Sequence, residues 1–382
     1  MLTLITMALL IQAPAVTGTV FFDRNGNGHR DAGEPGLAGV AVSNQVAVAV
    51  TDRNGKYTLE AGGFGIVAVS APNGYRSEGA FWKPAVASVD FPLVAAPLPA
   101  SFTFIHASDT HLDSASLPRT RRVQQLVDSV KPAFVLLTGD LIRDALRVPE
   151  SLAVQRFELF LRERARFSRP VWTVPGNHDI FGIEREKSGV SPEHPRFARA
   201  MYRHYLGPDY YSFNAGGIHF VALDTEDIDD QWYYGHVDSL QLAWLEQDLA
   251  LVPPTVPVVT FNHIPFFSAA EEINGYTDEP PAPTVITVNG TPRFRHVVSN
   301  AGDLLALLRQ HNYPLALGGH VHIRERLHYE LGGQSTRFEN AAAIMGPSDG
   351  AGLHFRSGIT VYRVTNGAID SGRFVPLPDP AR

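Results

Sequence analysis

Five apolar runs in this chain each end on side chains able to bind a metal. FTFIHASDTH runs into Asp109 and His111, AFVLLTGD into Asp140, VWTVPGNHD into Asn177 and His178, VPVVTFNH into His263, and PLALGGHVH into His320 and His322. Short apolar runs rich in β-branched and aromatic residues and bounded by Gly, Pro, Asn and Asp read as strands. Between them the period changes to that of helices, with Val123, Leu126, Val127 and Val130 in 119–131, Val154, Phe157 and Leu161 in 152–167, and further helices expected over 238–250 and 301–311. Strands alternating with helices predict an α/β layered domain. The open edge of such a sheet, where the carboxyl ends of the strands meet their loops, is where ligands bind. The pattern therefore constrains the fold and the site together.

The text before residue 95 has another rhythm. From Val16 to about Val94, GTVFF, GVAVSN, VAVAVTD, YTLEA and IVAVSAP are separated by Gly, Asn, Asp and Pro, which predicts a small all-β sandwich over 16–95. Asn54-Gly55 is a hairpin signal, because a type I′ turn asks for positive φ at both central residues, and Asn366-Gly367 is another. Residues 96–100, APLPA, read as a proline-stiffened linker into the α/β domain, 101–375, with 376–382 as a tail. Within that domain, 182–209 and 268–298 fit neither period and are expected to form rims of the site. His106, His219, Trp172 and Trp244 lie inside apolar patterns and are expected in the core, while Arg119, Arg121 and Arg122 are expected on a solvated helix face.

Composition narrows the chemistry. The 382 residues carry a net charge of -7, so no general attraction to a nucleic-acid duplex or an anionic membrane is expected, and a phosphate-bearing substrate must be captured locally. The absence of cysteine removes disulfides and thiolate metal sites. Carboxylates, imidazoles and one amide suit divalent Mn, Fe or Zn. The ligands are too many for one ion with an open position. Two ions roughly 3.5–4 Å apart, sharing one carboxylate, would use them all and clamp the attacking and leaving oxygens of an in-line displacement at phosphorus.

D-x-H, GD, GNHD, a lone NH after an apolar strand, and GHVH, in this order, resemble the calcineurin-like metallophosphoesterase family over about residues 100–375, together with YSFNAGGIHFVALDT and QLAWLEQDL. The resemblance implies a two-sheet α/β/β/α sandwich. It also implies that Asp109, His111 and His322 hold one metal, that Asn177, His263 and His320 hold the second, and that Asp140 bridges them. His178 would then stabilise the pentacoordinate phosphorus or protonate the leaving oxygen, after attack by a metal-bridging hydroxide on a small phosphomonoester or phosphodiester. The family often places an Asp three residues after the bridging Asp to orient this His. Here Arg143 stands there, and Asp144 or Asp179 is the alternative. The purple acid phosphatase branch would carry Tyr at that position and Gly in place of His111, so the sequence argues against that branch.

DRNGNGHRDAGE places Asp23, Asn25, Asn27, Asp31 and Glu34 at the spacing of a twelve-residue calcium loop. It lacks helical flanks, and with TDRNGKYTLEA it resembles the calcium-loop β-sandwich modules of bacterial surface proteins, a resemblance that implies a Ca²⁺ site in the N-terminal domain. At the N-terminus, apolar Leu2–Ile11 followed by Ala13-Pro14-Ala15 reads as a signal peptide, residues 1–15, without a basic n-region. A periplasmic or secreted location follows, and no transmembrane segment is expected. The competing functional reading is a surface or adhesion protein whose metal site is only structural. His178 separates the two, since a structural site needs no unligated His beside it.

Overall fold

The computed structural model describes residues 15–378 except 61, 281, 332 and 351. The expected leader lies outside the described residues but for Ala15, as does the end of the tail beyond 378. Two compact units result: one is the described part of Met1–Ala71 with Arg76–Ala95, the other Pro72–Tyr75 with the described part of Ala96–Arg382.

The first unit is all-β. Val16–Phe22 pairs antiparallel with Lys56–Leu59 and parallel with Phe91–Ala95, and a second sheet runs in the order Val48–Val50, Ala41–Ser43, Ile66–Ser70, Trp82–Pro84. Val20, Phe21, Leu59, Val67, Val69, Phe91 and Leu93 are buried between the loops and strands of this unit. The Asn54-Gly55 expectation is corrected. Only Gly55 has positive φ, and the turn connects strands of different sheets, because Asp52 Oδ1 accepts from the N–H groups of Asn54 and Lys56 and settles the chain into an Asx-type turn instead. Asn366 and Gly367 both have positive φ and join the paired strands Gly358–Thr365 and Ala368–Ile369, as a two-residue hairpin should.

The second unit holds two six-stranded sheets. The first runs Val171–Val174, Val135–Thr138, Ser101–Ala107, Gly358–Thr365, Ala368–Ile369, with Arg373–Pro376 also pairing on Gly358–Thr365; the second runs Tyr211–Ala215, Ile218–Ala222, Pro257–Phe261, Asn312–Gly318, Gln334–Asn340, Glu325–Leu331. In the second sheet the central strands are parallel and both edge strands antiparallel; in the first, Val171–Val174, Val135–Thr138 and Ser101–Ala107 are parallel, and Gly358–Thr365 pairs antiparallel with Ser101–Ala107. Aromatic rings fill the space between the sheets. Phe104 meets Phe220 edge-on with centroids 5.7 Å apart, and Phe134 meets Phe220 at 5.2 Å and Phe213 at 5.6 Å, geometries that rings prefer over face-to-face overlap. Helices cover the outer faces: Leu117–Val130 and Glu150–Arg164 bury Val123, Val127, Ala153 and Phe157 against the first sheet, and Ser239–Leu249 and Ala301–Leu308 bury Trp244, Leu245, Leu304 and Leu308. The unit is an α/β/β/α sandwich.

His106 and His219 are satisfied core histidines, bonded to Thr138 Oγ1 and to Asn214 and Asp248. Arg119 departs from the expected solvated face. Its guanidinium is half-buried and donates to the carbonyls of Ile344 and Pro378 and to Ser357 Oγ, tying the first helix to the C-terminal segment. The stretch 182–209 contains the helices Arg185–Ser188 and Arg199–Leu206, and 268–298 contains a short helix, Ala270–Asn274, and the hairpin Val285–Val288/Thr291–Phe294.

Candidate metal centre

Each expected ligand follows the carboxyl end of one of the parallel strands, and all of them converge. The ligand atoms of Asp109, His111, Asp140 and His322 lie within 4.8 Å of one another, and so do those of Asp140, His263 and His320. Asp140 belongs to both groups through different oxygens: Oδ2 is 3.3 Å from His111 Nε2 and Oδ1 is 3.3 Å from His263 Nε2. Asn177 Oδ1 joins the second group at 3.2 Å from His263 Nε2.

The backbone is bent to achieve this. Among the described residues eleven non-glycine residues have positive φ, and five of them are Asp109, His111, Asp140, His320 and His322. Side chains there cost free energy, on the order of 1–3 kcal/mol each, and such residues gather at functional sites. Glycines make the approach possible. A Cβ on Gly139, at φ +81, would lie 2.6 Å from the His263 ring, and one on Gly319 would lie 2.0 Å from Ser108 Oγ. One carbonyl ties three strand ends together, since Thr138 O accepts from Ser108 Oγ and from His263 Nδ1, both at 2.7 Å. That bond places the His263 proton on Nδ1 and turns the Nε2 lone pair inward, the usual supporting arrangement for a ligating imidazole.

The donor set fits cations. Asp109 is fully buried, yet its Oδ1 has no hydrogen-bond partner while facing His322 Nε2 at 3.1 Å. Imidazole nitrogens face each other at 3.3 Å (His111 and His322, both Nε2) and 3.2 Å (His320 Nδ1 and His263 Nε2). Ligand atoms about 2.0–2.1 Å from one tetrahedral ion stand roughly 3.3 Å apart. Converging lone pairs repel unless a proton or a cation lies between them, and a buried carboxylate oxygen without a donor is costly. The titration directions tell the same story. Burial works against charge on every member, but His322 and His111 hold Asp109 well below the usual carboxylate range, and His263, His178 and His111 do the same for Asp140. Asp140 in turn lifts His263 well above, and His111 above, an ordinary imidazole. His320 goes the other way, pushed well down by burial and then by its neighbours His296 and His263. It presents a neutral imidazole.

His178 sits beside the first group, its ring meeting that of His111 edge-on at 4.6 Å, and its N–H donates to Asp140 Oδ1 at 2.8 Å. The partner left open by the sequence is neither acid. His178 Nδ1 donates to the carbonyl of Arg143 at 2.8 Å, while Asp144 Oδ1 stands off at 3.9 Å. Asp179 instead accepts from the N–H groups of Leu141, Ile142 and Gly176, bracing the turns that carry Asp140 and Asn177. Position 143 is therefore used, through its backbone, which is why no side-chain motif reveals it.

Three neighbours carry no sequence signal. Glu226, fully buried, accepts from Ile264 N–H next to His263. Tyr233 turns its ring edge toward His320 with centroids 5.9 Å apart. His296, in the unpatterned RFRHVVSN, places Nδ1 2.6 Å from His320 Nε2. The N-terminal loop is of a different kind. Asp23 accepts from the N–H groups of Gly26, Asn27 and Gly28, Glu34 from those of Arg24 and Asp31, and Asp31 from the amides of Asn25 and Asn27.

Comparison with known proteins agrees with the motifs. The family model described as calcineurin-like phosphoesterase matches residues 102–324. Among curated proteins the chain is 27% identical over 164 residues to purple acid phosphatase 23 of Arabidopsis thaliana, covering 41% of this chain and 29% of that protein. It is 28% identical over 155 residues to the serine/threonine-protein phosphatase CPPED1 of Danio rerio, covering 39% and 46%. It is 24% identical over 225 residues to a 3′,5′-cyclic-nucleotide phosphodiesterase of Nostoc, covering 57% and 68%. The chain thus spans less than half the length of the first two. No helix among the described residues is long and apolar enough to cross a membrane. With the matched stretch taking in every strand end of the cleft, from Asp109 to His322, this chain belongs to the calcineurin-like phosphoesterase family.

Proposed function

We propose that the protein is an exported phosphoesterase that hydrolyses small phosphomonoesters or phosphodiesters with two divalent ions of the Mn, Fe or Zn type. The observation that carries this reading is Asp140, whose two oxygens are divided between two groups of imidazole-nitrogen and carboxylate donors. Asp109, His111 and His322 would hold one ion and Asn177, His263 and His320 the other, with Asp140 common to both. When bound, the ions supply Lewis acidity toward the phosphoryl oxygens and activate water at neutral pH.

The remaining work falls to this chain's own residues. His178 is fixed by its Nδ1–H bond to Arg143 O and by its backbone bond to Asp140, so Nε2 is the atom left to exchange a proton with the leaving oxygen. Burial holds the free imidazole below its ordinary value, and an approaching phosphate anion opposes that and favours the charged form. Asp179 keeps the Asp140 and Asn177 turns in register. The relatives include both a phosphatase and a phosphodiesterase, and a substrate panel with kcat/KM fitted for each metal assigns the leaving group.

The test is direct. Asp140→Asn and His263→Ala should each abolish metal-dependent hydrolysis of an aryl phosphate and of a bis-aryl phosphodiester; full activity in both variants would end this reading. The export part rests on Leu2–Ile11 and Ala13-Pro14-Ala15. N-terminal sequencing of the protein from its native host should begin at Val16, and a retained Met1 would count against export.

A further inference from the structure

His296 lies outside every motif, yet its contact with the site is the tightest imidazole pair in it. His320 turns Nδ1 toward His263 Nε2, 3.2 Å away, inside the second donor group. A neutral imidazole that offers its Nδ1 lone pair to a metal carries its proton on Nε2. That nitrogen is 2.6 Å from His296 Nδ1. The two ring centroids are 4.8 Å apart and the planes differ by 23°, and the nitrogens are closer than the centroids by about two ring radii. The rings therefore lie edge to edge in nearly one plane, as an in-line N–H···N bond requires.

His296 is held there by the residue before it. Arg295 is buried, and its guanidinium lies 4.2 Å from the Tyr233 ring centroid and 4.9 Å from that of Trp232. Its Nε donates to the carbonyl of Tyr233 and its Nη1 to that of Pro283. The backbone on either side is pinned as well, Arg295 N–H to Thr284 O and Val298 N–H to Pro265 O. Both hydrogen bonds and two aromatic faces restrain one side chain, and the next residue inherits its placement.

We infer that His296 is a positioning residue for the second metal: it accepts the His320 Nε2–H bond, fixes which nitrogen of His320 faces the ion, and is itself set by the Arg295 clamp just after the Val285–Phe294 hairpin. Ligating histidines commonly donate their outer N–H to a carboxylate or carbonyl, and losing such a partner typically costs about 10–100-fold in metal affinity. Here an imidazole from a rim segment does that work. Retention of the second ion is thereby tied to the placement of that segment beside the site.

The inference rests on the dinuclear reading, and its test reads metal rather than turnover. Mn²⁺ or Co²⁺ stoichiometry and stepwise affinity would be measured by chelator competition on the full chain, wild type against His296→Leu, which keeps bulk without an acceptor, and His296→Asn, whose Oδ1 stands near the place of Nδ1. The expected result is an unchanged first affinity in all three, a second affinity weakened about 10–100-fold in His296→Leu, and recovery of most of it in His296→Asn. Arg295→Lys, which leaves His296 in place, should show the same loss in smaller measure. Two ions held by His296→Leu as tightly as by wild type would overturn the inference and leave the dinuclear reading standing, and equal weakening of both ions would overturn it too. A wild-type chain that binds fewer than two ions would remove the dinuclear reading and this inference with it.

Discussion

The Asp23–Glu34 loop and the cleft around Asp140 both look like metal sites in one dimension, and they differ in how their oxygens are spent. In the loop every carboxylate already has local donors: Asp23 takes three backbone N–H groups, Glu34 two, and Asp31 two side-chain amides. In the cleft Asp109 Oδ1 is buried with no donor, and imidazole nitrogens face each other at 3.2–3.3 Å. Satisfied acceptors make a turn, whereas orphaned ones call for a counter-charge. Residue type and spacing report neither condition.

The sharpest test of this contrast substitutes one acid in each place. Asp109→Asn should remove the first ion and lower metal-dependent kcat/KM by about 10³-fold or more, roughly 4 kcal/mol of transition-state stabilisation, whereas Asp23→Asn should leave kcat/KM within about twofold. Equal losses would erase the distinction. Next in size, His178→Ala should lower kcat by about 10²–10⁴-fold with metal content unchanged. Unchanged turnover would instead favour the competing view of a surface protein with a structural metal site.

The same contrast explains what was legible in the sequence. The layered fold follows from the pattern of runs, because strands 101–107, 135–138, 171–174, 257–261 and 312–318 are mostly apolar and mostly buried and alternate with helices that bury one face. That the eight candidate residues converge was legible in their position at strand ends. What did not follow are contacts made through the backbone or across long separations. Arg143 orients His178 with its carbonyl, Glu226 reaches Ile264 from 38 residues earlier in the chain, and His296 arrives just after a hairpin in a stretch with no periodicity. The Asn54-Gly55 turn misled for a related reason. Its dipeptide is a hairpin signal, but the preceding Asp52 captured the backbone N–H groups first.

The loop itself supplies a third test. Asp23→Ala leaves three backbone N–H groups to find other acceptors, and it should cost about 3 kcal/mol of stability, read as a lower Tm for the all-β unit. Chelation of calcium should leave kcat unaltered. Added Ca²⁺ that raises the Tm in a dose-dependent way would show these oxygens exchanging N–H donors for a cation. That outcome would place the loop in the class of the cleft, while no shift confines it to a hydrogen-bonded turn.

A smaller effect extends the rule to an acid outside both regions. Asp227 belongs to the satisfied class: it accepts from His236 Nδ1 and the Tyr234 hydroxyl at 2.9 Å each and from Ile228 N–H, with Arg199 3.7 Å away. Burial works against its ionisation, yet the His236 bond, Arg199 and the other donors win and hold its carboxyl down at about 2, against 3.8 when free. A depressed carboxylate contributes stability that is present above its unfolded value and lost as pH falls through its folded one. Asp227→Asn should therefore cost about 2 kcal/mol at neutral pH, and the difference from wild type should shrink once pH drops below about 3.8 and vanish near 2. Urea melts of both chains from about pH 7 to about pH 3 measure it. A penalty that stays constant over that range would mean that Asp227 acts by shape and hydrogen bonding alone, and that its charge is incidental to the fold.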